Sequence, residues 1–271
     1  MRLALAVLVL LALGALAAPF VASTMGHDPF GADLFNRFAA PNAQHPLGTD
    51  ELGRDVLVRL LYGARVSLAV GVVAALAAAL LGTAIGILAA MAGGAVDAAL
   101  MRLADGMLAL PSLPLLVVLA ALDPGKIGLP RDWPAFDLAR IVVIIALFGW
   151  PGVARLARAT ALSLLSRDFL RAAVALGATP RHIAWRHIAP NLLAPVGTAA
   201  TLAVGGTILT ESVLSFLGLG IQPPTASWGN MLANAQEMVF AAPLQAVWPG
   251  AAIFITVVCC NVVGDGLQRR G

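Results

Sequence analysis

Six long stretches of the chain are apolar and carry charge only near their ends, if at all. A helix needs about 20 such residues to cross a bilayer. The pattern therefore predicts membrane-spanning helices at residues 3–22, 66–92, 103–122, 138–162, 188–210 and 238–264. Asp105 and Arg140 fall near an end of their stretches, and Arg155 and Arg158 fall at the other end of the fourth. We expect an all-α membrane protein whose single transmembrane domain fills residues 1–271.

The first stretch also fits a second interpretation. Arg2, an apolar run and the small residues "ALAA" are typical of a secretory signal with a cleavage site. Because five further spans follow, we favour a first helix that is kept in the protein.

Composition agrees with a membrane protein. Of the 271 residues, 60% are hydrophobic and 11% are charged, whereas about 25% of residues are charged in soluble domains. The net charge of +3 is too small to suggest nucleic-acid binding. Cys259 and Cys260 lie inside an apolar run, which favours packing over a metal or redox role.

The distribution of basic residues predicts the orientation, because Lys and Arg are enriched in cytoplasmic loops. With a cytoplasmic N-terminus, ten arginines fall on the cytoplasmic side and seven basic residues on the other. Both termini are then cytoplasmic. The long polar loop at residues 23–62 is extracytoplasmic, and the polar segment 165–187 is cytoplasmic.

The cytoplasmic segment has the pattern of a helix, a tight turn and a second helix. The first helix carries an apolar stripe at i, i+3, i+4 and i+7, formed by Phe169, Ala172, Ala173 and Leu176. Gly177 follows, where a helix ends most easily in a residue with positive φ. Thr179 and Pro180 are suited to cap and open the second helix, which should run to about Ile188.

Two functions remain open for this pattern. Arginines beside an apolar stripe fit a helix resting on anionic lipid. Small residues at the stripe fit a docking surface for a cytoplasmic protein.

Other polar residues give weaker signals. Glu211 closes an uncharged run of 23 residues, so it is either a pathway residue or an interfacial acid at the outer end of the fifth span. Asp97, Arg102 and Asp105 should pair with each other or face a partner. Asp50, Glu51, Arg54 and Asp55 should form a solvated face on the outer loop, with contact to a partner protein outside the membrane as the alternative.

Catalytic and metal-binding signals are missing from the sequence. His182 and His187 are five residues apart, which is not the i, i+4 spacing of two ligands on one helix face. Lys126 is the only lysine, and it does not stand in a phosphate-binding G-x-x-x-x-G-K-[ST] loop. We therefore expect no catalytic residue, no metal site and no bound cofactor in this chain.

The segment "RAAVALGATPRHIAWRHIAP" resembles the EAA motif of bacterial ABC-importer permeases. The resemblance rests on Ala172, Ala173, Gly177, Ile188 and Pro190. Arg171 stands where the family often has glutamate, and Ala189–Pro190 represents its Leu-Pro.

Three further stretches resemble the dipeptide, oligopeptide and nickel permeases, in the family order. They are "HPLGTDELGRDVLVRLLYGARVSL" (45–68), "ESVLSFLGLGIQPPTASWGNML" (211–232) and "WPGAAIFITVVCCNVVGDGL" (248–267). Within that family the chain is most similar to the second, C-type subunit.

The resemblance implies a type I importer permease in the bacterial inner membrane, with residues 165–187 as its coupling loop. It implies that two cytoplasmic ATPases dock on that loop and use ATP and Mg²⁺. A second, non-identical permease subunit and an extracytoplasmic solute-binding protein complete the expected complex. Di- or oligopeptides are the expected substrates, with nickel or another small solute as the alternative. A secondary transporter driven by an ion gradient is the rival class, although it would favour repeated halves and ionisable residues in mid-membrane.

Overall fold

The computed structural model describes residues 1–122, 136–233 and 242–269 and is helical throughout its regular structure. The α-helices are α1 (Arg2–Met25), α2 (Val56–Ala92), α3 (Gly94–Ala109), α4 (Ser112–Ala121), α5 (Phe136–Leu165), α6 (Asp168–Ala175), α7 (Pro180–Ile183), α8 (Ala189–Phe216) and α9 (Pro243–Gln268). Five helices among the described residues are long and apolar enough to span a membrane, when α7, the π segment (Ala184–Ile188) and α8 are taken as one helix from Pro180 to Phe216. The pair α3 and α4 forms the sixth candidate span.

The third predicted span is not the straight helix expected at residues 103–122. It begins earlier, at Gly94, and α3 and α4 meet at an angle of 88°. The break lies at Leu110 and Pro111, where Leu110 adopts an extended ψ of 142°. Proline disfavours helical backbone in the residue before it and cannot donate to the preceding turn, so the bend follows from the sequence.

The second span begins at Val56, ten residues before its predicted start at 66. Asp55 caps the helix by accepting a hydrogen bond from the Val58 N–H at 2.8 Å. Arg59 lies inside the first turns and is tolerated there because its guanidinium pairs with Asp50 at 3.2 Å. The outer loop is therefore shorter than the predicted 23–62 and runs between Met25 and Val56. The predicted start of the last span at 238 lies outside the described residues.

Helix α2 is the centre of the bundle and packs along α5, α8 and α1. Its first turns face the outer loop and residues 217–233, where the Trp228 indole N–H donates to the Leu60 carbonyl at 3.0 Å. Near its other end, Ala90 packs with Leu170 and Ile183 of the predicted coupling loop. The outer loop and the coupling loop therefore lie at opposite ends of the bundle.

Small residues bring α2 and α5 into close contact. A Cβ added to Gly82 would lie 2.6 Å from the Trp150 carbonyl oxygen, and one added to Gly86 would lie 2.5 Å from the Ala154 carbonyl oxygen. This G-x-x-x-G spacing is the arrangement that lets membrane helices approach closely.

We expect Gly86→Ala to lower the free energy of unfolding by about 1–3 kcal/mol, because the added methyl group would push α5 away. Gly106→Ala in α3 is the matched control, since nothing lies within 4 Å of its added Cβ. Thermal unfolding in detergent checks the pair. Equal stability of the two variants would contradict the close packing.

Candidate functional site

The predicted coupling loop is anchored to the bundle by three buried aliphatic side chains. Leu170, Ile183 and Ile188 are at most 4% exposed. They pack with Ala90 of α2 and with Ala157 and Ala161 of α5. The loop is thereby held on the ends of the two helices that form the centre of the bundle.

The turn at Gly177 is closed as the sequence predicted. Gly177 has φ +87°, and its N–H donates to the Val174 carbonyl at 2.9 Å while the Ala178 N–H donates to the Ala173 carbonyl at 3.0 Å. This pair of bonds is the Schellman motif that ends a helix at glycine. Thr179 then accepts a bond from the His182 N–H at 3.3 Å, so its predicted role as N-cap before Pro180 is confirmed as well.

The second helix of the loop does not stop at Ile188. It continues through the π segment into α8. His182 of α7 and His187 of the π segment lie close together, with ring centroids 5.7 Å apart, although residues five apart point in different directions in a regular α-helix. Ligand spacing for a regular α-helix therefore does not predict this contact.

Several large apolar side chains of the loop face outward. Leu176 is 89% exposed and Trp185 is 72% exposed. Phe169 and Val174 are also exposed. Beside them lies a shallow cavity of about 440 Å³ lined by Ala173, Leu176, Gly177, Ala178, Thr179, His182 and His187. An exposed apolar patch of this kind is typical of a surface that binds a protein or a membrane.

Ion pairs join α3 to α5 near the same end of the bundle. Arg158 donates to both carboxylate oxygens of Asp97 at 2.5 Å. Arg155 lies 3.4 Å from Asp105. The expectation that Asp97, Arg102 and Asp105 would pair with each other is therefore wrong for the two acids, because both pair with arginines of α5.

Glu211 is fully buried near the other end of α8, at 0% exposure. Its Oε1 accepts from the Ser215 hydroxyl at 2.7 Å. Its Oε2 accepts from the Ser67 hydroxyl at 3.0 Å and from the Ser212 hydroxyl at 3.5 Å. We call these four residues the Glu211 cluster. Glu211 thus lies near the outer end of the fifth span, as one interpretation expected, but its carboxylate is buried within the subunit.

The Glu211 cluster also holds the backbone that follows α8. The Ser67 hydroxyl accepts from the Trp228 backbone N–H at 3.1 Å, and the Ser215 hydroxyl accepts from the Ile221 N–H at 3.0 Å. The carboxylate thus fixes two serines that in turn bind residues 217–233. Glu211 joins α8, α2 and this loop.

Three of the four charged residues expected to form a solvated face on the outer loop are buried, and the fourth, Glu51, is half-buried. Asp50, Arg54 and Asp55 are at most 7% exposed. Arg54 pairs with Asp50 at 2.7 Å and with Glu51 at 3.3 Å. Because these groups satisfy one another, the loop can fold over them as a compact cap.

The family of the chain follows from comparison with known proteins. Residues 82–270 match the profile described as "Binding-protein-dependent transport system inner membrane component". The nickel transport system permease protein NikC of Escherichia coli (strain K12) is 38% identical over 267 residues, which cover 98% of this chain and 91% of NikC. The chain belongs to this permease family.

Two further relatives place the permease within the family. The dipeptide transport system permease protein DppC of Alkalihalophilus pseudofirmus is 37% identical over 86% of this chain and 73% of DppC. The glutathione transport system permease protein GsiD of Escherichia coli O6:K15:H31 is 39% identical over 96% of this chain and 82% of GsiD. The resemblance to peptide and nickel permeases is confirmed, and the rival class of secondary transporters is wrong.

The permease is a multi-pass membrane subunit of an ABC importer, and ATP hydrolysis belongs to separate subunits. Among its predicted site residues, Phe169, Arg171, Ala172 and Leu176 are exposed and Ala173 is half-buried. Ile188 is fully buried and so supports the loop from inside, while Pro190 is exposed at the start of α8. Leu170 and Trp185 were missed because they lie off the predicted stripe.

Proposed function

We propose that the permease imports di- or oligopeptides and that the coupling loop transmits the work of cytoplasmic ATPases to its helices. The observation that carries this proposal is the construction of the loop. Its outer surface is apolar and exposed, while its inner surface is fixed on α2 and α5 by Leu170, Ile183 and Ile188. A protein that binds the outer surface of the loop and shifts it must therefore also shift α2 and α5.

In the orientation that we propose, this loop is cytoplasmic and both termini lie on the same side. The excess of arginines on that side supports it. The opposite end, with the outer loop and residues 217–233, then faces an extracytoplasmic solute-binding protein in a bacterial inner membrane.

The complex contains a second, non-identical permease subunit and two ATPase subunits that bind ATP and Mg²⁺. A groove of about 830 Å³ lies on the surface of the single subunit, between α8 and the end of α9. Its lining includes Leu193, Pro195, Thr198, Thr201 and Leu267. We expect such an open groove in one subunit if the translocation pathway is completed by the second permease subunit.

Peptides are the proposed substrates because two of the relatives above carry dipeptide and glutathione in their names. Nickel is the second candidate, since NikC matches nearly the whole chain.

Uptake into proteoliposomes tests the substrate. The permease is reconstituted with its partner permease, ATPases and binding protein, and with ATP at the ATPase side. We expect ATP-dependent accumulation of labelled dipeptide, with little accumulation of ⁶³Ni²⁺. Accumulation of the nickel ion without accumulation of dipeptide would contradict the peptide proposal and support nickel as the substrate.

A further inference from the structure

Two histidines and an aspartate meet in the outer loop. The His45 Nδ1 atom lies 3.0 Å from the Asp55 Oδ2 atom, and the His27 Nε2 atom lies 3.9 Å from the same oxygen. One donor atom of each residue falls within 4.8 Å of the other two. The imidazole rings of His27 and His45 are stacked, with centroids 4.6 Å apart. We call these three residues the His–Asp cluster.

From this geometry we infer that the His–Asp cluster binds a divalent transition-metal ion of the nickel, copper and zinc class. Imidazole is the ligand that these ions have in common, and an aspartate carboxylate is also a usual zinc ligand. Two donors at about 2.1 Å from one ion are about 3.0 Å apart at right angles and about 4.2 Å apart across it. The distance of 3.0 Å from Asp55 Oδ2 to His45 Nδ1 equals the right-angle value. The distance of 3.9 Å from the same oxygen to His27 Nε2 lies between the two values.

The surroundings favour a cation. The cluster lines a cavity of about 760 Å³ that also includes the carboxylates of Asp28 and Asp33. The one guanidinium in its lining belongs to Arg54, which is already paired with Asp50 and Glu51. Among the described residues that line this cavity, acids therefore outnumber available bases. The cavity also leaves room for water or a solute ligand on the ion.

The aspartate is held in place before any ion binds. Its Oδ1 atom accepts the Val58 N–H at 2.8 Å as the cap of α2, which leaves Oδ2 directed at the histidines. Hydrogen bonds of this kind orient a ligand and raise metal affinity. The His27 Nε2 atom lies 2.9 Å from the Gln44 carbonyl oxygen. Metal binding would replace this hydrogen bond by a bond from Nε2 to the ion.

An ion at this place would join three parts of the chain. His27 directly follows the C-cap of α1, Asp55 caps α2, and His45 belongs to the loop between them. The ion would lock the outer loop onto the ends of both helices. The inference does not depend on which substrate is carried.

Metal binding by the full-length permease tests this inference without any transport measurement. The protein is purified in detergent with a tag that contains no histidine and is titrated with Ni²⁺ or Zn²⁺ alone. We expect one saturable site per chain. His27→Gln should weaken binding by more than about 100-fold, since loss of a mere supporting contact already costs 10- to 100-fold.

His182→Gln is the matched control, because it removes an imidazole from the other histidine pair, at the opposite end of the bundle. It should bind like the unchanged protein. Asp55→Asn provides a second variant, since asparagine keeps the helix cap. It should retain the metal-free melting temperature and lose the rise in melting temperature that the ion produces.

Two results would overturn the inference. One is the absence of saturable binding by the unchanged protein. The other is an equal loss in His27→Gln and His182→Gln, which would indicate scattered imidazole binding. Dialysis then distinguishes an ion that stays bound in the fold from one that binds only while it is present in solution. In either case, loss of binding in His27→Gln but not in His182→Gln places the ion on the His–Asp cluster.

Discussion

Ala173→Arg is expected to abolish ATP-driven uptake and to leave the permease folded. Ala173 lines the cavity on the coupling loop, beside the exposed Leu176 side chain. An arginine there would fill the cavity and place a charge in the surface that we propose binds the ATPase. Loss of fit at the centre of an interface costs about 2 kcal/mol or more, which is at least about a 30-fold loss of affinity.

The helix itself should tolerate the change, since arginine is a good helix former. Co-purification of the permease with its ATPases, measured beside uptake, separates docking from folding. Ala175→Arg is the matched control, because Ala175 is exposed on the same helix and does not line the cavity. Uptake and co-purification by Ala173→Arg at the level of Ala175→Arg would contradict ATPase docking at this surface.

The turn of the coupling loop could be predicted because its signals are local. Gly177 needs no neighbour to adopt a positive φ, and Thr179 with Pro180 opens a helix by contacts within four residues. The residues that hold the loop in place could not be found in this way. Leu170 is no more apolar than Leu176, yet one is 1% exposed and the other 89%. The difference depends on Ala90, Ala157 and Ala161, which are distant in sequence.

The number of spans was predictable, and their ends were less so. The apolar run after residue 66 predicted a helix, but the first ten residues of α2 contain Arg59, which argues for a loop on hydropathy alone. The buried partners of its guanidinium, the Asp50 carboxylate and the Pro29 carbonyl, make the earlier start acceptable. The bend at Pro111 had a local signal, since proline disfavours a helical residue before it. Apolar composition on both sides concealed that signal.

The His–Asp cluster shows the same limit for sites. His27 and His45 are 18 residues apart, and no spacing rule connects them to each other or to Asp55. They meet because Gly26 ends α1 with a positive φ of 69° and the loop then returns to the start of α2. His182 and His187 were weighed instead because they are close in sequence. Proximity in the chain was a poor guide to proximity in the fold.

Glu211→Ala is expected to destabilise the permease by about 3–5 kcal/mol. The hydroxyls of Ser67 and Ser215 would each lose a buried acceptor, at about 1–3 kcal/mol for each group left unsatisfied. The removed side chain would also leave a cavity beneath the Trp228 backbone. Residues 217–233 would lose their attachment to α2, so thermal unfolding in detergent should begin at a lower temperature.

Glu211→Gln is the matched variant that separates structure from transport. Its amide oxygen can accept one of the serine hydroxyls, and its amide group can donate to another. We expect a loss of about 1 kcal/mol and uptake near that of the unchanged protein. Uptake by Glu211→Gln that falls as far as that of Glu211→Ala, at an unchanged melting temperature, would show that the carboxylate acts in the pathway. Three buried serine hydroxyls donate to the Glu211 carboxylate, so a structural role is sufficient to explain why this acid is buried. We therefore expect Glu211→Gln to exceed Glu211→Ala both in stability and in uptake.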